Sequence, residues 1–181
     1  MSFTSDTCNV MKGARGGVIA KLRSVQPRII DVHCICHLVS LCVKSAVKGL
    51  PLKVDDLLVD IYYHFRNSVN RVVSLQEYAE FCCVEFKCIL KHCETRWLSL
   101  RRAINRTLEM WNPLLSYFTS HVNVEKPGKV KTIFTLMSRP STKLWLCSFS
   151  NVLAVFDRFN TFFQNSKISI AHNCMVNVYV S

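Results

Sequence analysis

A chain of 181 residues, half of them apolar and 19% charged, has the length for a buried core and is too hydrophobic to be a disordered protein. Its 23 Lys and Arg outnumber 12 Asp and Glu, and the formal net charge of +11 favours polyanionic partners, nucleic acid before an acidic membrane surface. The N-terminal residues lack a secretory signal pattern, and the longest uncharged apolar run, Leu144 to Phe156, falls short of the roughly 20 residues of a membrane span. Ten cysteines are then expected as mostly reduced thiols, in the nucleus or the cytoplasm.

In chain order, Met1 to Thr4 offers the end of a strand but too few residues to form one. Gly13, Gly16 and Gly17 break the next segment, and Val18 to Val25 is a short helical pattern that Pro27 ends. Lys12, Arg15, Lys21, Arg23 and Arg28 follow one another with no acid among them, either a solvated face or a surface that tracks phosphates. The run KGARGG lacks the Gly-Lys-Ser/Thr ending of a phosphate loop and is not read as one.

The stretch from Ile29 to Lys48 organises the chain. Its first half is β-branched and its second half repeats apolar residues every three or four positions, so a strand turns directly into a helix with Cys34, Cys36 and His37 at the turn. Gly49-Leu50-Pro51 stops that helix. An amphipathic stripe follows through Val54, Leu57, Leu58, Ile61, Tyr62, Phe65, Val69 and Val72, with Asp55 and Asp56 complementing the helix dipole in its first turn. Ser74 with Glu77 has capping-box spacing, which predicts a second helix from there to about His92. A third begins near Thr95 on the stripe Trp97, Leu100, Ile104, Leu108 and Trp111, and Pro113 ends or kinks it. Glu125 to Lys129 is a turn within a basic stretch that includes Lys126, Lys131, Arg139 and Lys143. A fourth helix spans Thr142 to Gln164, and Ile168 to Ser181 has no helical stripe.

Three sets of residues are candidates for chemistry. Ser99, Arg102 and Arg106 share a helical face beside Arg96 and Arg101, a pattern of solvated arginines or of phosphate contacts. Cys34 with His37, and Cys88 with His92 and Cys93, have the ligand types of a structural zinc site, although ten cysteines produce such pairs by chance. A Cys-His nucleophile at Cys34 or Cys36 with His37 has only sequence adjacency behind it, whereas catalytic partners usually meet in space. Asp6, alone, is a helix cap or turn former.

The runs SDTCNVMKGARGGVIAKL, VHCICHLVSLCVKSAVK and TRWLSLRRAINRTLEMWNPL together resemble the hAT superfamily of DNA transposases and their domesticated relatives. The likeness rests on Asp6 with Asn9 and Met11, then Cys34 with His37 and Leu41, then Arg96 with Trp97, in the family's order from about Ser5 to Gln164. Val10 between Asn9 and Met11, and Val39-Ser40 after Leu38, depart from the pattern. The resemblance implies an α/β remnant followed by a mainly α region: a partial, few-stranded RNase H-like core over 1–50, a helical insertion domain over 51–165 and an unassigned tail over 166–181.

By the same resemblance Asp6 matches the second acid of a catalytic triad that holds Mg²⁺ or Mn²⁺ in the complete family enzyme, where two metal ions activate the attacking oxygen and stabilise the leaving one. His37 lies near that centre, and Trp97 matches a tryptophan that stacks on an extruded base. In the family the triad's first Asp lies on a strand upstream of the position Asp6 matches and its Glu lies after the insertion domain, so neither is expected among these residues, and one ligand of three cannot hold two metals. The expectation is therefore a truncated or domesticated protein without catalysis and without a cofactor of its own. Its open sheet implies poor stability on its own or dependence on a partner. It is expected to bind DNA in the nucleus through Arg96, Trp97, Arg101, Arg102, Arg106, Lys12, Arg15 and Lys21, with other transposase-like chains or nuclear proteins as further partners and no membrane. A zinc-stabilised helical interaction module, or part of a transposase completed by other segments, are the alternatives.

Overall fold

The computed structural model describes residues 2–49, 52–93, 99–124 and 128–164, which are mainly helical with two parallel strands. The chain divides into two units, one of Met1–Ser45 with Phe156–Ser181 and the other of Ala46–Val155.

In the first unit, β1 (Ser2–Ser5) leads through two short helices, α1 (Asn9–Lys12) and α2 (Val18–Val25), to β2 (Ile30–His33). The strands pair in parallel from Ser2 opposite Ile30 to Ser5 opposite His33. A parallel pair needs a crossover connection, and α1 with α2 supply it. Four residues thus suffice for a strand where the sequence predicts too few to form one, because β2 offers a ready ladder. The turn between α1 and α2 is tight: a Cβ at Gly17 would lie 2.5 Å from the Gly13 nitrogen and 2.6 Å from its oxygen, so the glycine serves backbone approach. After β2 a single residue, Cys34, precedes α3 (Ile35–Lys48). The buried thiol of Cys36 donates to the Asn160 carbonyl, 3.8 Å away on the end of the last helix.

The second unit is built from α4 (Val54–Arg66), α5 (Val69–Phe81), α6 (Ser99–Glu109), α7 (Trp111–His121), α8 (Lys129–Met137) and most of α9 (Pro140–Gln164). Its core is the expected stripe of α4, with Leu57, Leu58, Ile61 and Phe65 buried, packed with Ile104 of α6, Leu114, Tyr117 and Phe118 of α7 and Ile133 of α8. Burying side chains of this size contributes about 1.5–3 kcal/mol each relative to exposure.

Five boundaries differ from the sequence expectation. The α4 stripe does not continue to Val72: it ends at Arg66, and Ser68 caps a new helix by accepting the Arg71 N–H. Ser74 therefore lies inside α5 and does not open a helix, since the cap six residues earlier takes that role. Nor does the helix reach His92. It closes after Phe81 with the Cys83 N–H donating to Glu80 and the Val84 N–H to Ala79, while Cys83 takes a left-handed φ of 53°. This is a Schellman closure with cysteine where glycine is usual, and the chain then runs without helix to Cys93. Pro113 neither ends nor kinks the third helix, because the break falls at Met110 and Pro113 sits in the first turn of α7, where its missing N–H is not needed. The last described helix, α9, begins at Pro140, two residues before the expected start.

Candidate nucleic-acid interface and the Asp6–His37 cluster

β1 and β2 run in parallel, so their C-terminal ends deliver the residues that follow them to one place. In open α/β sheets that end of the strands is where ligands gather. Asp6 follows Ser5 directly, and its carboxylate accepts the Cys8 N–H at 3.2 Å. The Cys34 N–H donates to the Ser5 carbonyl at 2.9 Å, which carries the pairing one residue past the strands and fixes the start of α3. His37, in the first turn of α3, then places Nε2 2.9 Å from Thr7 Oγ1. The hydrogen bonds from the Cys8 thiol and the Cys8 N–H hold the Asp6 carboxyl below its usual range, and the nearby charges of His37 and Lys12 add to the effect. Residues thirty positions apart are thereby brought together, and Thr7 is the member that sequence motifs did not point to.

The basic residues of the α/β unit separate by role. Lys12 is ion-paired with Asp31 of β2, donates to the Val32 carbonyl at 3.3 Å and lies 5.8 Å over the Phe3 ring. Its side chain is 11% exposed, so it fastens α1 to the sheet. Arg23 reaches the other oxygen of Asp31 at 3.9 Å. The acid that the basic run itself lacks thus comes from the neighbouring strand β2. Arg15, Lys21 and Arg28 are exposed and, among the described residues, no salt bridge joins them to an acid.

In the helical unit, Arg106 donates to the Cys88 carbonyl and to Glu109 at 3.2 Å, while Arg101 is half-buried and Arg102 exposed. Arg96 and Trp97 lie outside the described residues. Lys129 at the start of α8 pairs with Asp60, whose hydrogen bond and charge raise the lysine's pKa. Lys131, Arg139 and Lys143 are exposed, and Lys143 sits 5.8 Å over the Trp111 ring.

The cysteine–histidine pairs divide likewise. Cys88 and His92 are on the non-helical segment, not on one helical face. The His92 ring is buried, with Nδ1 3.1 Å from Ser99 Oγ and Nε2 3.5 Å from Asp55, so both nitrogens that could ligate zinc face protein partners. Among the described residues no three His, Cys, Asp or Glu side chains cluster as a metal site would require. Nor is any helix among them long and apolar enough to cross a membrane.

No protein-family model matches the chain, and no solved structure matches it significantly.

Proposed function

We propose that this chain is a catalytically silent, DNA-binding relative of hAT-type transposases, acting in the nucleus. In this reading the α/β unit corresponds to part of an RNase H-like core and the helical unit to the insertion within it. Two features support the kinship: a helical unit whose sequence interrupts that of an α/β unit, and the meeting of Asp6 with Thr7 and His37 at the strand ends. Asp6 lies close enough to His37 to feel its charge, and Asp31 is held by Lys12. Two-metal phosphoryl transfer calls for several carboxylates at one point, so catalysis is not part of the proposal.

The observation that carries the binding function is the set of exposed cations with no acid partner among the described residues: Arg15, Lys21 and Arg28 in one unit, and Arg102, Lys131, Arg139 and Lys143 in the other. Phosphate neutralisation by such side chains releases counterions, so affinity falls with salt by a slope of about −0.9 per phosphate contacted. The test is duplex DNA affinity measured across salt concentrations for the wild type and for Arg102→Ala with Lys131→Ala. The double variant should bind more weakly, with a slope shallower by about 2. Affinity indifferent to salt, or an unchanged slope in the variant, would refute the assignment.

A further inference from the structure

Between α4, α5 and the non-helical segment after Cys83 lies a pocket of about 160 Å³. Tyr62, Phe65 and Phe86 give it aromatic walls, Leu75 closes one side, and Arg66 and Cys88 border it. The segment that forms its outer wall is held in place: the Cys88 carbonyl accepts from Arg106, and Lys87 pairs with Glu109 at 3.4 Å. Two cations stand nearby, Arg66 over the wall residue Tyr62 and over Tyr63, and Lys91, two positions after the lining residue Ile89, over Tyr63. The Arg66 guanidinium is 5.8 Å from the Tyr62 centroid and 5.9 Å from that of Tyr63, and the Lys91 ammonium is 5.8 Å from Tyr63. Both cations are exposed, and among the described residues neither is tied to an acid.

We propose that this pocket binds a single-ring nucleobase carrying a phosphate, with the ring among the aromatic walls and the phosphate on Arg66 and Lys91. Size argues for one ring: an apolar cavity of about 150 Å³ holds a benzene, and a fused purine exceeds that. The walls offer π-faces on which any base stacks, whereas the exposed cation Arg66 on the border, with Lys91 shortly after the lining segment, disfavours a purely apolar occupant and suits an anionic substituent next to the ring. The same chemistry reaches the pocket from a free pyrimidine nucleotide or from an unstacked pyrimidine in a single strand. Arg66 and Lys91 are not among the cations assigned to duplex DNA.

Cys88, an exposed free thiol on the pocket border, reports occupancy directly. The full chain is alkylated with iodoacetamide in the presence of thymidine 5′-monophosphate, deoxyadenosine 5′-monophosphate, inorganic phosphate or single-stranded oligothymidylate, and modification of Cys88 is followed by peptide mass mapping alongside calorimetric titration. Thymidine monophosphate should slow alkylation of Cys88 while phosphate alone leaves it unchanged. Arg66→Ala and Lys91→Ala, both at exposed positions, should each weaken binding about two- to fivefold, and Tyr62→Ala about tenfold. Protection by the oligonucleotide at lower concentration than by the mononucleotide identifies a single strand as the source, and the reverse identifies the free nucleotide. No protection by either, or equal protection by the adenine nucleotide, overturns the proposal. Protection that persists while duplex DNA fails to bind supports the pocket and sinks only the duplex reading.

Discussion

His64 Nε2 lies 3.0 Å from the Tyr117 hydroxyl, joining α4 to α7 inside the helical unit. The ring also packs edge-on against Phe65 and Tyr117 and at a tilt against Phe118. Burial pushes the His64 pKa down to about 4, and the charges of Arg71 and His121 act in the same direction. A histidine kept neutral in the fold takes up its proton in the unfolded chain first, so the unfolded state binds more protons between about pH 6.5 and pH 4. Stability from this site is whole above pH 6.5, declines as pH falls through that window, and levels off below about 4. The loss should amount to about 2–3 kcal/mol after allowance for residual solvation of the ring. Urea unfolding at pH 7.5 and pH 4.5 measures it. His64→Gln should lower stability at pH 7.5 and flatten the dependence; an equally steep dependence in that variant would place the source elsewhere.

The two serines near the start of α5 make opposite predictions. Ser68 accepts the Arg71 N–H at 3.4 Å, and Ser74 sits mid-helix. Ser68→Ala should cost about 1 kcal/mol of unfolding free energy, and Ser74→Ala should change it by less than about 0.5 kcal/mol. The comparison is made by denaturant midpoint at neutral pH. A larger effect at Ser74 would restore the helix start predicted by the capping-box spacing.

Cys83 occupies the left-handed position of the α5 closure with a φ of 53°, a region that costs a side chain roughly 1 kcal/mol or more and costs glycine little. Cys83→Gly should therefore raise the melting temperature, by an amount equivalent to about 1 kcal/mol. It also removes an exposed thiol, so Cys83→Ser serves as the control that isolates the backbone effect. A melting temperature no higher for glycine than for serine would contradict the strained closure.

Lys12 and Arg15 lie three positions apart in one basic run yet should fail in different assays. Lys12→Met leaves Asp31 with Arg23 at 3.9 Å as its remaining ion pair and should destabilise the α/β unit by about 1–3 kcal/mol. Its effect on DNA affinity, measured where the variant is folded, should be small. Arg15→Ala should leave the melting temperature unchanged and weaken DNA binding. Reversed outcomes would return Lys12 to the phosphate-contacting set.

What could be read in the sequence follows the range of the forces involved. The strand-to-helix turn after His33, the short helix Val18–Val25 and the α4 stripe as far as Phe65 all announce themselves through local periodicity, and the structure keeps them. Helix ends were harder, because α5 closes on a cysteine where a glycine would have given the signal. The α8 helix hid inside a basic stretch read only for its charge: Val130, Ile133 and Met137 are its buried face, at the spacing of a helix. The β1 strand depends on a partner nearly thirty residues away. So does the identity of the lysine that is structural: nothing within the run Lys12 to Arg28 distinguishes it, and only the sheet register brings Asp31 into reach.

The division of the chain also sets an order of events. Residues Ala46–Val155 are contiguous, so the helical unit has all its parts once they have left the ribosome. The α/β unit does not, since Cys36 finds its partner Asn160 124 positions later. Its strands and first helices must wait, with part of their surface uncovered, while the intervening helices are made. Closing so long a loop is entropically unfavourable from an unfolded chain and easier once the intervening segment is compact. Refolding should accordingly run in two phases, helices first, and the cell's folding helpers should meet this chain at its amino-terminal end.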